Sequence, residues 1–176
     1  VGWNFMDWVP GWRHGIPPRG ELGASGAVNW LMVLALGYLQ ELETIAGDAE
    51  SAARAGRMRD ETAAACHAAF YRPDDGIYAD DLDATSFSEH SQCLALLSGT
   101  IPNDEIPRVE RALLNRDLIR TTIYFTHYLF ETYRRLDRVD RIVDRMGLWF
   151  DLSGQGFKTT LEMPEPTRSD CHAWGA

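Results

Sequence analysis

No stretch of this sequence approaches the roughly 20 apolar residues a helix needs to cross a bilayer, so a membrane span is not expected. The opening, Val1-Gly2-Trp3-Asn4-Phe5-Met6-Asp7-Trp8, has neither the basic start nor the apolar segment of a secretory signal. That slightly favours the cytoplasm, but a chain opening in mid-motif is expected to be a piece of a longer one, which leaves its compartment unassigned. Cysteine is scarce. Cys66, Cys93 and Cys171 are odd in number, scattered and without a CxxC pair, which excludes a disulfide framework and fits free, buried thiols. Basic charge is short as well: 17 Lys and Arg against 26 Asp and Glu leave a net charge of -9. Such a chain repels a phosphate backbone and an anionic bilayer alike, so neither nucleic acid nor a membrane is an expected partner.

Metal and nucleotide signatures are missing too. There is no His-Glu-x-x-His, and neither His90 with Cys93 nor Cys171 with His172 has a second ligand pair at finger-like spacing. The segment from Asp74-Asp75-Gly76 to Asp80-Asp81 lacks the alternating oxygens of a calcium loop and reads as a solvated turn. Gly154-Gln155-Gly156 lacks the third glycine and the preceding strand of a nucleotide fingerprint. No metal and no cofactor are therefore expected. A self-similar repeat period, the mark of a solenoid, is also absent.

What is present is helical periodicity. After a Gly-, Pro- and Trp-rich opening, Val28, Leu31, Met32, Ala35, Leu39, Leu42 and Ile45 recur at helical spacing until Gly47-Asp48. The first half of this helix is apolar nearly all round, as in a buried helix. An Ala-rich helix follows from Ala49 to Phe70 with Asp48 as N-cap, and Arg72-Pro73-Asp74-Asp75-Gly76 is turn chemistry before a short extended piece at Ile77-Tyr78-Ala79. Ser86-Phe87-Ser88-Glu89 reads as a capping box for a third helix ending at Gly99. Further helices are expected after Pro102-Asn103-Asp104-Glu105, over about Thr121 to Leu136 and about Val139 to Phe150, and another opening at Arg168-Ser169-Asp170. The expected class is all-α, with about three helical hairpins. Apolar faces turned inward suit part of an α/α toroid.

The densest chemical signal is the tail, Gly156-Phe157-Lys158-Thr159-Thr160-Leu161-Glu162 followed by Arg168-Ser169-Asp170-Cys171-His172-Ala173-Trp174. It places a carboxylate, an imidazole and an indole in one irregular stretch. Glycoside hydrolysis needs a carboxylate to activate water, hydrogen-bonding groups for the hydroxyls, and a flat apolar surface for the sugar's C–H face. A capped, solvated loop whose Trp returns to the core accounts for the same residues.

The order Gly-x-x-Thr-x-x-Glu, a Pro-containing loop, then Arg-Ser-Asp-Cys-His-Ala-Trp resembles the end of the catalytic barrel in α-L-rhamnosidase-like proteins, inverting glycoside hydrolases built on an (α/α)6 barrel. The resemblance extends to Trp3-Asn4-Phe5-Met6-Asp7-Trp8-Val9-Pro10, to Ser88-Glu89-His90-Ser91-Gln92-Cys93-Leu94-Ala95-Leu96-Leu97-Ser98-Gly99 and to the Tyr124-Phe125 helix, and so spans essentially residues 1–176. It implies the C-terminal half of a six-hairpin domain, incomplete at both ends. It implies Glu162 as the general base, His172 as a sugar contact, Asp7 and Trp8 as a pair lining the pocket, and a structural Trp174. Thr159-Thr160 is followed by one residue before Glu162 where the family commonly has two, which keeps Glu165 in reserve. The family's general acid lies in an Asp-x-Pro-x-Arg-x-Glu-Arg motif that this sequence lacks. Arg59-Asp60-Glu61 echoes it without the flanking Pro, and a surface pair between Arg57 and Glu61 explains that stretch more simply.

The implied activity is hydrolysis of terminal α-L-rhamnosides with inversion in an intact parent protein, the 176 residues alone being inactive. The implied partners are a rhamnose-containing carbohydrate or glycoside and, across an exposed apolar seam, the missing half of the barrel or a second copy. Two alternatives remain open: a six-hairpin hydrolase acting on another sugar, and a helical carbohydrate-binding domain without catalysis. Among the other aromatic and imidazole residues, Trp30 and Trp149 are expected in the core, and His67 and His90 as structural histidines. Trp3, Trp8 and Trp12 are open to either sugar stacking or loop anchoring.

Overall fold

The computed structural model describes residues 4–163 and 168–172; Trp3, Glu165 and Trp174 lie outside the described residues. Among the described residues there are seven α-helices: α1 (Gly26–Ala46), α2 (Ala49–Phe70), α3 (Glu89–Ser98), α4 (Ile106–Asn115), α5 (Thr126–Arg135), α6 (Val139–Arg145) and α7 (Gly147–Gly154). A two-stranded antiparallel hairpin, β1 (Tyr71–Arg72) and β2 (Ile77–Tyr78), pairs Tyr71 with Tyr78 and Arg72 with Ile77. The opening segment is ordered loop with two short 3-10 turns, Arg13–Gly15 and Gly20–Leu22.

The first hairpin follows from its punctuation. Gly47 takes a left-handed conformation (φ 82°) that ends α1, and its N–H caps the last carbonyls. Asp48 then accepts a hydrogen bond from Ser51 N at 3.0 Å, which starts α2 and holds the Asp48 carboxyl below its usual range. Small residues, Ala52, Ala55, Gly56 and Ala63, face inward along α2. They let α1 come close; a Cβ at Gly56 would press on the Gln40 amide. At the other end, Gly26 N donates to Asp80 O at 2.8 Å, and a Cβ on Gly26 would strike the Ala79 carbonyl oxygen. Glycine is required there.

The helices form two layers. α1 packs on α3 and α3 on α5, while α2, α4 and α6 pack mainly on their own hairpin partners α1, α3 and α5. An inner row with an outer row behind it is the geometry of part of a helical toroid. α3 is the hub. Its residues Glu89 to Ala95 are all buried, and Cys93, Leu94, Trp30, Phe125 and Leu129 pack together in the core. Trp30 is fully buried against the Tyr78 ring, whereas Trp149 is only half-buried. His67 Nδ1 meets the Tyr78 hydroxyl at 2.8 Å, a satisfied structural histidine.

Several local expectations are corrected. Ser88, not Ser86, caps α3: its Oγ accepts from Ser91 N at 3.5 Å, and Ser86 lies two residues before that cap with its hydroxyl on Asp80. α5 begins at Thr126 rather than Thr121, because the Thr121 and Thr122 N–H groups are spent on the carboxylates of Glu89 and Asp7. One expected helix from Val139 breaks into α6 and α7 at Met146-Gly147, where glycine weakens helical preference. Arg168-Ser169-Asp170 does not open a helix within residues 168–172; those residues pair with residues 159–162 instead. Asp80 and Asp81 are buried, not solvated: Asp80 accepts hydrogen bonds from the hydroxyls of Ser86, Ser88 and Ser91 at 2.6–2.7 Å. Cys66 and Cys93 are buried but Cys171 is exposed. Arg57 and Glu61 are both exposed, and the ion pair in that stretch is Arg59–Asp60.

Among the described residues no single helix is long and apolar enough to cross a membrane. α1 nevertheless leaves apolar side chains in solvent at helical spacing: Met32, Leu39, Leu42 (63% exposed) and Ile45 (82% exposed). Its buried residues all fall between Gly26 and Leu36.

Candidate active site

The opening loop is bent back on itself. The Gly15 carbonyl accepts from Met6 N at 2.8 Å and Asp7 N at 3.3 Å, and a Cβ on Gly15 (φ 69°) would run into the Phe5 ring. This turn delivers Asp7 to the top of α3. Asp7 Oδ2 accepts from His90 Nε2 at 2.8 Å and Thr122 N at 2.6 Å, and Oδ1 accepts from Trp8 N at 2.9 Å and from the Thr122 hydroxyl. Both oxygens are therefore fully used and fully buried. Expected to line the pocket, Asp7 instead lies beneath the surface and holds the Trp8 backbone from below; a carboxylate with four protein donors has no lone pair directed at solvent. Trp8 is half-buried, its ring edge-on to Phe5 at 4.9 Å, and Phe5 in turn is edge-on to Tyr124 at 5.1 Å.

His90 completes this arrangement. Its imidazole is fully buried between the Trp12 ring at 4.7 Å and the Phe125 ring at 4.3 Å, and its Nδ1 has no hydrogen-bond partner among the described residues. The proton is accordingly assigned to Nε2, where the Asp7 carboxylate can accept it.

A second buried polar cluster stands next to the first. Arg145 donates Nη1 and Nη2 to the two oxygens of Glu89, each at 3.1 Å, and Nη2 also reaches the Thr121 hydroxyl at 2.8 Å. Thr121 N donates to Glu89 Oε2 at 2.7 Å. The two clusters together clamp residues 121–122 onto the start of α3. Sequence reading missed Thr122, Glu89 and Arg145 as partners. The one available signal was a run of five polar residues, Ser88 to Gln92, opening a helix that continues as Cys-Leu-Ala-Leu-Leu.

The tail folds as two limbs laid side by side. Glu162 N donates to Ser169 O at 3.0 Å and His172 N to Thr160 O at 2.9 Å; the hydroxyls of Thr159 and Thr160 donate to the carbonyls of Asp170 and His172. Leu161 is buried and anchors the first limb. Ser169 N donates to Glu162 Oε2 at 3.2 Å, while Oε1 lies 4.0 Å from His172 Nε2. Their side chains are 25% and 28% exposed respectively, so carboxylate and imidazole are close, oriented and within reach of water. Arg168 sits over the Phe157 ring at 5.4 Å and pairs with Asp170 at 3.0 Å, which stiffens the return limb.

A carboxylate with one oxygen held by a backbone N–H and the other 4.0 Å from an imidazole can accept a proton from water or hold a sugar hydroxyl. Three clefts of about 340, 340 and 480 Å³, lined around Glu89, Trp12 and His67 respectively, do not include Glu162 or His172 in their walls. Among the described residues no group of three or more His, Cys, Asp or Glu side chains is placed to hold a metal ion.

In its arrangement of helices the chain has the fold of part of a helical toroid like those of glycoside hydrolases. Solved structures that share it include two rhamnosidases. A rhamnosidase from Klebsiella oxytoca with rhamnose bound superposes with a TM-score of 0.77 at 17% identity over 97% of this chain. The GH78 family rhamnosidase of Bacillus sp. GL1 superposes with a TM-score of 0.83 at 21% identity over 99% of this chain. The chain spans 34% and 20% of the lengths of those two proteins. No family model matches the sequence, and no curated protein matches it.

Proposed function

We propose that this chain is part of a glycoside hydrolase that removes terminal α-L-rhamnose with inversion of configuration, with Glu162 as general base. The supporting observation is the Glu162–His172 pair, 4.0 Å apart and part-exposed, on a fold shared with a rhamnosidase that has rhamnose bound. Glu162 takes the proton of a water as its oxygen attacks the anomeric carbon, from the face opposite the departing oxygen. A second carboxylic acid about 6.5–9.5 Å from Glu162 protonates that oxygen. His172 holds a sugar hydroxyl, and Trp8, fixed from below by Asp7, offers its ring to the sugar's apolar face. The acid comes from outside these 176 residues, so the chain alone does not turn over substrate. Arg59-Asp60-Glu61 is no substitute, since Asp60 and Glu61 lie on the exposed face of α2 with Asp60 paired to Arg59.

The same reading explains the exposed stripe of α1, which further helices of the polypeptide cover in the intact ring. The test is a panel of aryl glycosides given to the full-length polypeptide, with the anomeric proton followed by NMR in the first minutes. Release of β-L-rhamnose from the α-L-rhamnoside alone is expected. Hydrolysis of a different sugar moves the specificity. Binding of rhamnose with no turnover of any glycoside makes it a binding domain.

A further inference from the structure

A polar cleft of about 340 Å³ lies between the end of α4, residues 116–120 that follow it, and α6. Its walls share no residue with the Glu162–His172 pair, and the hydrolytic reading leaves it unused. The volume falls in the range of small-molecule sites, roughly 300–1,000 Å³. Four guanidiniums and three carboxylates line it, and Leu114 and Leu118 add apolar wall.

Two of the four cations are already bonded. Arg145 grips Glu89 on the buried side of the cleft, where the two side chains are 14% and 8% exposed. Arg116 is held at 2.8 Å by Asp75, which stands outside the cleft. That leaves Arg120 and Arg141 with Asp117 and Asp144, two charges of each sign. These four do not neutralise one another. Asp117, Arg120 and Asp144 are exposed and enter no ion pair among the described residues. Arg141 Nε lies 3.6 Å from Asp140, too far for a hydrogen bond, and is buried without a partner. One cleft therefore presents donors and acceptors that the protein itself does not satisfy.

This combination selects among ligands. A guanidinium only donates and an ionised carboxylate only accepts, whereas a hydroxyl does both. An oxyanion suits Arg120 and Arg141 but is repelled by Asp117 and Asp144, and a cation meets the reverse. A neutral ring carrying several hydroxyls satisfies all four, and its C–H face suits Leu114 and Leu118. We infer that this cleft is a second sugar-binding site, which takes a neutral pyranose unit of the glycan apart from the hydrolytic residues. The choice of glycan rests on the function proposed above; the preference for a neutral polyol rests on the cleft alone.

The probe is a rhamnan polysaccharide cast into a native gel. The full-length polypeptide is run through it as Glu162→Gln, so that the polymer stays intact. Adding Arg120→Ala or Asp144→Ala should each weaken the affinity read from retardation about threefold to tenfold. Both side chains are exposed and unpaired, so neither replacement threatens the fold, which circular dichroism checks. Asp144→Ala is decisive, because losing a carboxylate weakens a sugar site and strengthens an anion site. A parent that runs unretarded, retardation that Asp144→Ala leaves unchanged or increases, or displacement of the polymer by inorganic phosphate at constant ionic strength overturns the inference. Turnover of an aryl α-L-rhamnoside is measured separately with Glu162 intact. Retardation that depends on Arg120 and Asp144 without any turnover keeps the cleft and removes the hydrolysis; turnover with retardation indifferent to both does the reverse.

Discussion

Asp7 Oδ2 and His90 Nε2 lie 2.8 Å apart with both side chains fully buried, although 83 residues separate them along the chain. The pair fastens the opening loop to the hub helix α3, and Thr122 joins it from a third segment. Asp7→Ala is expected to cost about 3–5 kcal/mol of stability, because it strands an imidazole N–H, two donors of Thr122 and the Trp8 N–H without an acceptor. His90→Phe keeps the Thr122 and Trp8 bonds and should cost less. Urea titration followed by circular dichroism checks the order; an Asp7→Ala midpoint close to wild type would show that the buried carboxylate is not holding the loop.

The Glu89–Arg145 pair predicts non-additivity. Removing either partner alone, as in Arg145→Met or Glu89→Leu, leaves a nearly buried charge unpaired and should cost about 3–5 kcal/mol. The double replacement should cost clearly less than the sum. A strictly additive double-mutant cycle would indicate two independent side chains.

Thiol chemistry separates the three cysteines. Cys171 is exposed, while burial pushes the Cys66 thiol up to about 11 and drives Cys93 upward as well. A thiol reagent at pH 8 should modify one cysteine per folded chain and three after denaturation. The raised Cys66 value also has a sign for stability. Its contribution is complete below the unfolded value near 9 and is lost as pH rises toward about 11, since only the unfolded chain ionises freely. Stability increasing over that range would contradict the assignment.

The outward stripe of α1 predicts the behaviour of the isolated chain. Leu42 and Ile45 are exposed, so Leu42→Glu with Ile45→Glu should leave its unfolding midpoint almost unchanged while shifting the isolated 176 residues toward monomer in sedimentation. Equal self-association of wild type and double variant would assign the contact to another surface.

Local pattern was enough for what is local. Gly47-Asp48 marks the boundary between α1 and α2 to the residue, and Ile77-Tyr78 emerges as the second strand after the expected turn. Tail residues Glu162 and His172, ten positions apart, lie 4.0 Å from each other in one irregular stretch. What failed depends on partners far along the chain. The start of α5 is displaced by bonds reaching back 115 residues to Asp7 and 32 to Glu89, and neither leaves a trace in periodicity. Asp80 looks like a solvated turn residue until three serine hydroxyls close around it. Asp7 was picked out by its motif, yet its role as a buried acceptor could be seen only once His90 and Thr122 stood beside it.

The most direct measurement is kcat for an aryl α-L-rhamnoside with the Glu162→Gln variant of the full-length polypeptide. The account predicts a fall of about 10²–10⁴-fold with an unchanged circular dichroism spectrum and melting temperature. Near-normal turnover by that variant would contradict it.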